Sequence, residues 1–146
     1  MITRSWIRRL FARMPRTARK APARYRPRLE ALEERTLLAS YVAMNAADLI
    51  TDIRLANQAG GFNSILLNAA PSAPYTLTAV NNTTDGANGL PVIASGNNLT
   101  IVGNGDTIRR SLVAGTPAFR LFDVAAGASL ELYGLTLKNG LAAAWT

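Results

Sequence analysis

Any chemistry in this chain falls to carboxylates, arginine or lysine, because its 146 residues include neither Cys nor His. That composition removes disulfide frameworks, zinc fingers, thiol nucleophiles, Ser-His-Asp relays and histidine-bearing metal sites together. Asp48 and Asp52 stand four apart in a helical pattern, a spacing that suits a metal or an acid–base pair. Neither has a His or a third carboxylate nearby in sequence, and charges on a solvated helix face are far commoner. Asp106 belongs to the turn Gly103-Asn104-Gly105-Asp106 and is expected to serve the turn itself. Asp85, Asp123 and Glu131 complete the acids beyond this helix, with Arg109, Arg110, Arg120 and Lys138 as the available bases. No catalytic residue, metal site or cofactor is assigned from these, and the chain reads as non-enzymatic sooner than enzymatic.

The elements that would position them divide the chain in two. Residues 1–40 hold eleven of the sixteen Lys and Arg against three acids, a net of +8, whereas residues 41–146 carry five cations and six acids, a net of −1. All eleven glycines lie at or beyond Gly60. The expected organisation is a basic leader over 1–40 and a body over 41–146. The basicity belongs to the leader, so net charge does not make the whole protein a nucleic-acid binder. Phosphate attraction without base readout ranks last among its expected contacts.

Within the leader, Ile2, Trp6, Ile7, Leu10, Phe11 and Met14 recur at helical spacing with Arg4, Arg8, Arg9 and Arg13 mostly between them. The pattern predicts a basic amphipathic helix suited to a membrane surface, or else a disordered leader. Pro15, Pro22 and Pro27 mark an extended linker after it. No stretch approaches the ~20 apolar residues of a membrane-spanning helix. Leu37 to Met44, followed by Ala46 and Ala47, is a poor secretory signal, because its leader would be unusually long.

Residues 26–40 read RPRLEALEERTLLAS. Through Arg28, Leu29, Glu30, Leu32, Glu33, Arg35, Leu37 and Leu38 the segment resembles the LEPR-XLL type of N-terminal sorting motif, which opens many large surface-directed bacterial proteins. The spelling departs from that pattern in Ala31-Leu32-Glu33-Glu34 before Arg35. The resemblance implies export or sorting machinery as a partner of residues 1–40, and a secreted, cell-surface or outer-membrane-associated location. By its residues alone the segment is a short helix with Leu29 and Leu32 on one face.

In the body, residues 45–60 predict a helix: Asn45 caps it, Asp48 suits its first turn, Leu49, Ile50, Ile53 and Ala56 share an apolar face, and Gly60-Gly61 ends it. Beyond it, strands are expected at 64–67, 75–80, 92–94, 99–102, 120–124 and 130–137, each bounded by Gly, Asn, Pro or Asp. Residues 90–104 align without a gap on 121–135, an offset of 31, with Leu90/Leu121, Ala94/Ala125, Gly96/Gly127, Leu99/Leu130 and Gly103/Gly134 identical. A repeat of that length made of short strands and turns is the sequence signature of a solenoid. Leu130, Leu132, Leu135 and Leu137 are expected to point inward, with a bend at Gly134.

The helix, the runs Ile65-Leu66-Leu67 and Tyr75-Thr76-Leu77, the unit Leu99 to Gly105 and the unit Leu130 to Gly140 together resemble the pectate-lyase-like superfamily. The fold this implies is all-β: a right-handed parallel β-helix of about three rungs behind an N-terminal capping α-helix and a disordered or helical basic leader. A β-sandwich would give strands of the same length and is the alternative. Some members of that superfamily cleave acidic polysaccharides with a calcium-binding carboxylate cluster and an Arg or Lys base, or with an Asp pair. None of their catalytic motifs matches here residue by residue. The expectation is a non-enzymatic, surface-directed or secreted protein with a structural or adhesive role, the N-terminal fragment of a larger surface passenger. A polysaccharide-binding or polysaccharide-cleaving protein is the alternative.

Overall fold

The structure is a computed structural model that describes residues 38–70 and 72–142. The chain enters it through β1 (Ala39–Ala43), crosses over by α1 (Ala46–Ala59) and returns as β2 (Gly61–Leu67), parallel to β1. Parallel neighbours need a crossover of a dozen or more residues, and the helix supplies it. The remaining strands are β3 (Tyr75–Leu77), β4 (Asn97–Val102), β5 (Thr107–Arg110), β6 (Ser129–Tyr133) and β7 (Thr136–Lys138). They sort into two parallel sheets, β1-β2-β4-β6 and β3-β5-β7.

The helix forms where expected. The Asn45 side chain accepts from the Asp48 amide at 3.0 Å, and the amide of Gly60 closes the last turn on the Ala56 carbonyl at 3.0 Å. Leu49, Ile53 and Ala56, spaced to share one face, are buried, and α1 packs on β1, β2 and β4. Burial of each of the two larger side chains favours the fold by about 1.5–3 kcal/mol.

Strand alternation sets the core. The register stacks Tyr41, Ile65, Ile101 and Leu132 in one inward column and Asn63, Leu99 and Leu130 in the next. In the smaller sheet Tyr75 and Ile108 are buried in register, whereas Leu137, next in the row and expected to point inward, is exposed at the sheet's edge. The Tyr75 hydroxyl ties the sheets together, donating to the Ala43 carbonyl at 2.6 Å and accepting from the Asn68 amide at 3.0 Å. Leu99 and Leu130 pair directly, as do Ile93 and Val124, each 31 residues apart.

The expectation of an all-β right-handed parallel β-helix is corrected. The architecture is mixed, with one helix and two small parallel sheets, and no closed solenoid is seen among the described residues. The reason lies in the two connections. Residues 92–94 and 120–124, expected as strands, contribute only isolated bridge pairs, Ile93↔Val124 and Asn88↔Arg120. Around residues 90–94 side-chain amides take backbone groups beside these bridges. Asn57 donates to the Val92 carbonyl at 2.7 Å while its oxygen accepts from the Ala94 amide and the Asn97 side chain, both at 2.9 Å. Asn82 donates to the Leu90 carbonyl at 2.7 Å. Such local side-chain bonds offer the backbone an alternative to sheet pairing. Two further differences concern β1, which takes in Ala39 and Ser40 from the stretch read as leader, and β5, which was not anticipated. The expected strand over 130–137 is split at Gly134 between the two sheets.

Candidate functional site

The acids are dispersed. Asp48 is a capping residue: its carboxylate accepts from the Met44 amide at 3.1 Å and the Asn45 side chain at 2.9 Å. Asp106 serves its turn, with its amide on the Gly103 carbonyl at 2.6 Å and its carbonyl accepting from Thr136 at 2.9 Å. Asp123 accepts from the Asn88 side chain at 3.2 Å, and Glu131 accepts from the Tyr133 hydroxyl at 3.0 Å on the outer face of the larger sheet. The Asp85 carbonyl receives the Arg120 guanidinium, which also donates to Asn88 at 3.1 Å. Asp123 and Glu131, expected on successive strands, serve different partners, and among the described residues no group of three acids is placed to hold a metal.

Among the described residues Asp52 is the one perturbed carboxyl. Burial, and secondarily the Asp48 charge, raise its pKa above the ordinary aspartate value, and its Oδ2 lies buried with no hydrogen-bond partner. A raised folded-state pKa means that the native protein holds the proton more tightly than the unfolded chain. Stability therefore declines as pH rises from the unfolded value of about 3.9 through the folded one. Asp52→Asn is expected to raise the melting temperature at pH 7, with the difference from wild type shrinking as the pH falls below about 4. Thermal melts at the two pH values check it; a variant no more stable at pH 7 would contradict the reading.

The cations gather where the acids do not. On the outer face of the smaller sheet, Thr76, Arg109 and Lys138 follow one another across β3, β5 and β7, with no acid in that row. Arg109 Nε donates to the Thr76 hydroxyl at 3.1 Å. Two hollows flank this row. One, of about 220 Å³, is lined among others by Ser72, Asp106, Thr107, Arg109 and Lys138. The other, of about 380 Å³, is lined by Thr76, Arg109, Arg110, Ser111, Leu112, Val113 and Asn139. Arg110 is committed elsewhere: its Nε donates to the Asn139 carbonyl at 2.9 Å, its Nη1 to the Pro117 carbonyl at 3.3 Å, and its guanidinium stands 5.9 Å from the Phe119 ring centre.

Of the sorting-motif residues, Arg28, Leu29, Glu30, Leu32, Glu33, Arg35 and Leu37 lie outside the described residues. Leu38 is described and exposed, one residue ahead of β1. Sequence reading named Arg109 and Lys138 as bases but missed that they are neighbours, because β5 has only one apolar residue and gives no strand signal. It also passed over Leu112-Val113, whose only mark in the sequence is an aliphatic pair between Arg109-Arg110 and a Gly- and Pro-bearing stretch. No helix among the described residues is long and apolar enough to cross a membrane. No protein-family model matches this chain, and neither a curated protein nor a solved structure was found similar to it.

Proposed function

We propose that this chain is a non-enzymatic, surface-directed or secreted protein with a structural or adhesive role, its residues 1–40 addressing it and its body acting as a scaffold. The observation that carries the non-enzymatic part is the employment of the acids. Asp48 caps the helix, Asp123 and Glu131 each accept a single side-chain bond, Asp106 serves its turn through its backbone and is the lone acid beside Arg109 and Lys138, and among the described residues no two of these acids converge beside an Arg or Lys on one open face. General acid–base or calcium-assisted cleavage of a polysaccharide needs such convergence. Surface direction rests on the Arg28 to Leu38 resemblance alone.

A second reading, polysaccharide binding, is favoured by the acid-free Thr76, Arg109, Lys138 row, which offers two cations to the carboxylates of an acidic glycan. One set of measurements separates these. Purified full chain incubated with acidic polysaccharides, with and without calcium, is expected to release no new chain ends and to show no saturable binding. Release of ends would overturn the non-enzymatic reading, and binding abolished by Arg109→Gln with Lys138→Gln would install the second. For the address, alanine at Arg28, Glu30 and Arg35 in the producing cells is expected to move the protein from the surface fraction to the interior; unchanged distribution would remove the sorting role.

A further inference from the structure

Leu112 and Val113 are the most exposed large apolar residues described, at 72% and 74%. A single exposed aliphatic on a surface needs no explanation. These two, however, stand together at the tip of a loop whose base is pinned on every side. Ser111 donates its amide to the Leu77 carbonyl at 2.8 Å, and its hydroxyl accepts from the Val113 amide at 3.1 Å. The Val113 carbonyl accepts from the Thr116 amide at 3.1 Å, closing a turn through Gly115. Arg110 grips the far side through Pro117 and Asn139. The fold thus presents the pair as a preformed apolar point, and ordering it on contact adds little entropic cost.

The surroundings of that point are cationic. Leu112 and Val113 share a hollow with Arg109 and Arg110, and Lys138 stands beside Arg109 in the cross-strand row. Counting both hollows, three cations face one acid, Asp106. Arg109 and Lys138 directly opposite each other repel, a cost that an anion drawn between them would reverse. An aliphatic tip that leaves water for the acyl boundary, with guanidinium and ammonium groups at the level of phosphates, is the chemistry of interfacial membrane contact.

We propose that the Leu112–Val113 tip and the Arg109–Lys138 row form a contact surface through which the body docks on an anionic lipid bilayer. The surface belongs to the body and is independent of the basic leader, and its failure would leave the sorting address and the non-enzymatic reading untouched.

The natural absence of cysteine makes the test direct. Full-length Val113→Cys carrying an environment-sensitive fluorophore is mixed with vesicles of phosphatidylcholine alone or with about a third phosphatidylserine, and lipids brominated on their acyl chains serve as quenchers. The label reports the tip itself, whatever residues 1–40 do. The expected result is a blue shift and acyl-chain quenching on the anionic vesicles only. Arg109→Gln with Lys138→Gln should raise the lipid concentration for half-maximal shift by roughly tenfold to thirtyfold, at about one lipid-facing charge each, and Leu112→Ser should raise it as well. These side chains are exposed, and circular dichroism matching wild type verifies that each variant folds. A label that stays in water while the protein sediments with vesicles, an equal shift on neutral vesicles, or an unchanged midpoint in the neutralised variant would each overturn the proposal.

Discussion

Replacing Phe119 with alanine is expected to destabilise the body by about 3–5 kcal/mol, the range for truncating a fully buried aromatic. Phe119 is completely buried although it lies in a connection, outside any strand. Its ring lies so close to Gly89 that a Cβ there would meet ring carbons at 2.5 and 2.8 Å. Arg110 covers the ring, and the Phe119 carbonyl accepts the Leu141 amide at 2.8 Å. Alanine would leave a void beside Leu77 and Gly89 that a chain held by hydrogen bonds on both sides cannot collapse to fill. Domains are typically stable by only about 5–15 kcal/mol, so the loss takes up a large fraction of the total. Urea unfolding followed by circular dichroism measures it. A cost below about 1 kcal/mol would mean that the ring is not a packing centre. The same variant should loosen Arg110 and with it the loop that carries Leu112 and Val113.

Alanine at Gly103 is the second large effect, and its cause is space. Gly103 donates its amide to the Tyr133 carbonyl at 2.8 Å, so the turn after β4 lies directly on the turn after β6. A Cβ on Gly103 would stand 2.3 Å from the Leu135 Cβ and 3.1 Å from the Gly134 carbonyl oxygen. Neither is the free end of a flexible side chain, so relief requires the two turns to separate and the hydrogen bond between them to lengthen. The expected cost is about 3 kcal/mol, at the upper end of overpacking in a close-packed region. Gly96→Ala is the control. Gly96 has φ +81° and nothing within 4 Å of an added Cβ, so alanine there meets only the left-handed backbone penalty of about 1–2 kcal/mol. If the two variants unfold at the same denaturant concentration, the close approach of the turns is not as described.

The sequence was most legible where the information is local. The helix could be bounded at both ends because Asn45, Asp48 and Gly60 act on backbone groups within one turn of themselves. Strands with strict alternation, such as Leu99 to Val102, declared their inward residues through the same kind of short-range rule. The 31-residue offset showed which units resemble one another, and Leu99 and Leu130 do pair. No catalytic or metal site was assigned from the acids because Asp48 and Asp52, four apart on the helix, had no His or third carboxylate near them in sequence.

What the chain order could not decide was which backbone groups pair across distance. β5 is a strand because β3 and β7 flank it, although Thr107-Ile108-Arg109-Arg110 carries a single apolar side chain. Residues 92–94 and 120–124 carry apolar strand patterns but meet their neighbours only at single bridge pairs, and Asn57, distant in sequence, takes the Val92 carbonyl and the Ala94 amide through its side chain. The expected closed coil gave way to one helix and two sheets for that reason. Composition and spacing by themselves determined the helix, its caps, the inward rows and the absence of any thiol or imidazole chemistry, since each depends on residue type or on neighbours a few positions away. The mixed architecture, the Arg109–Lys138 row and the exposed Leu112–Val113 tip were decided only by the tertiary structure. They depend on which backbone segments, some thirty residues apart, come to lie side by side, and no local rule decides that pairing.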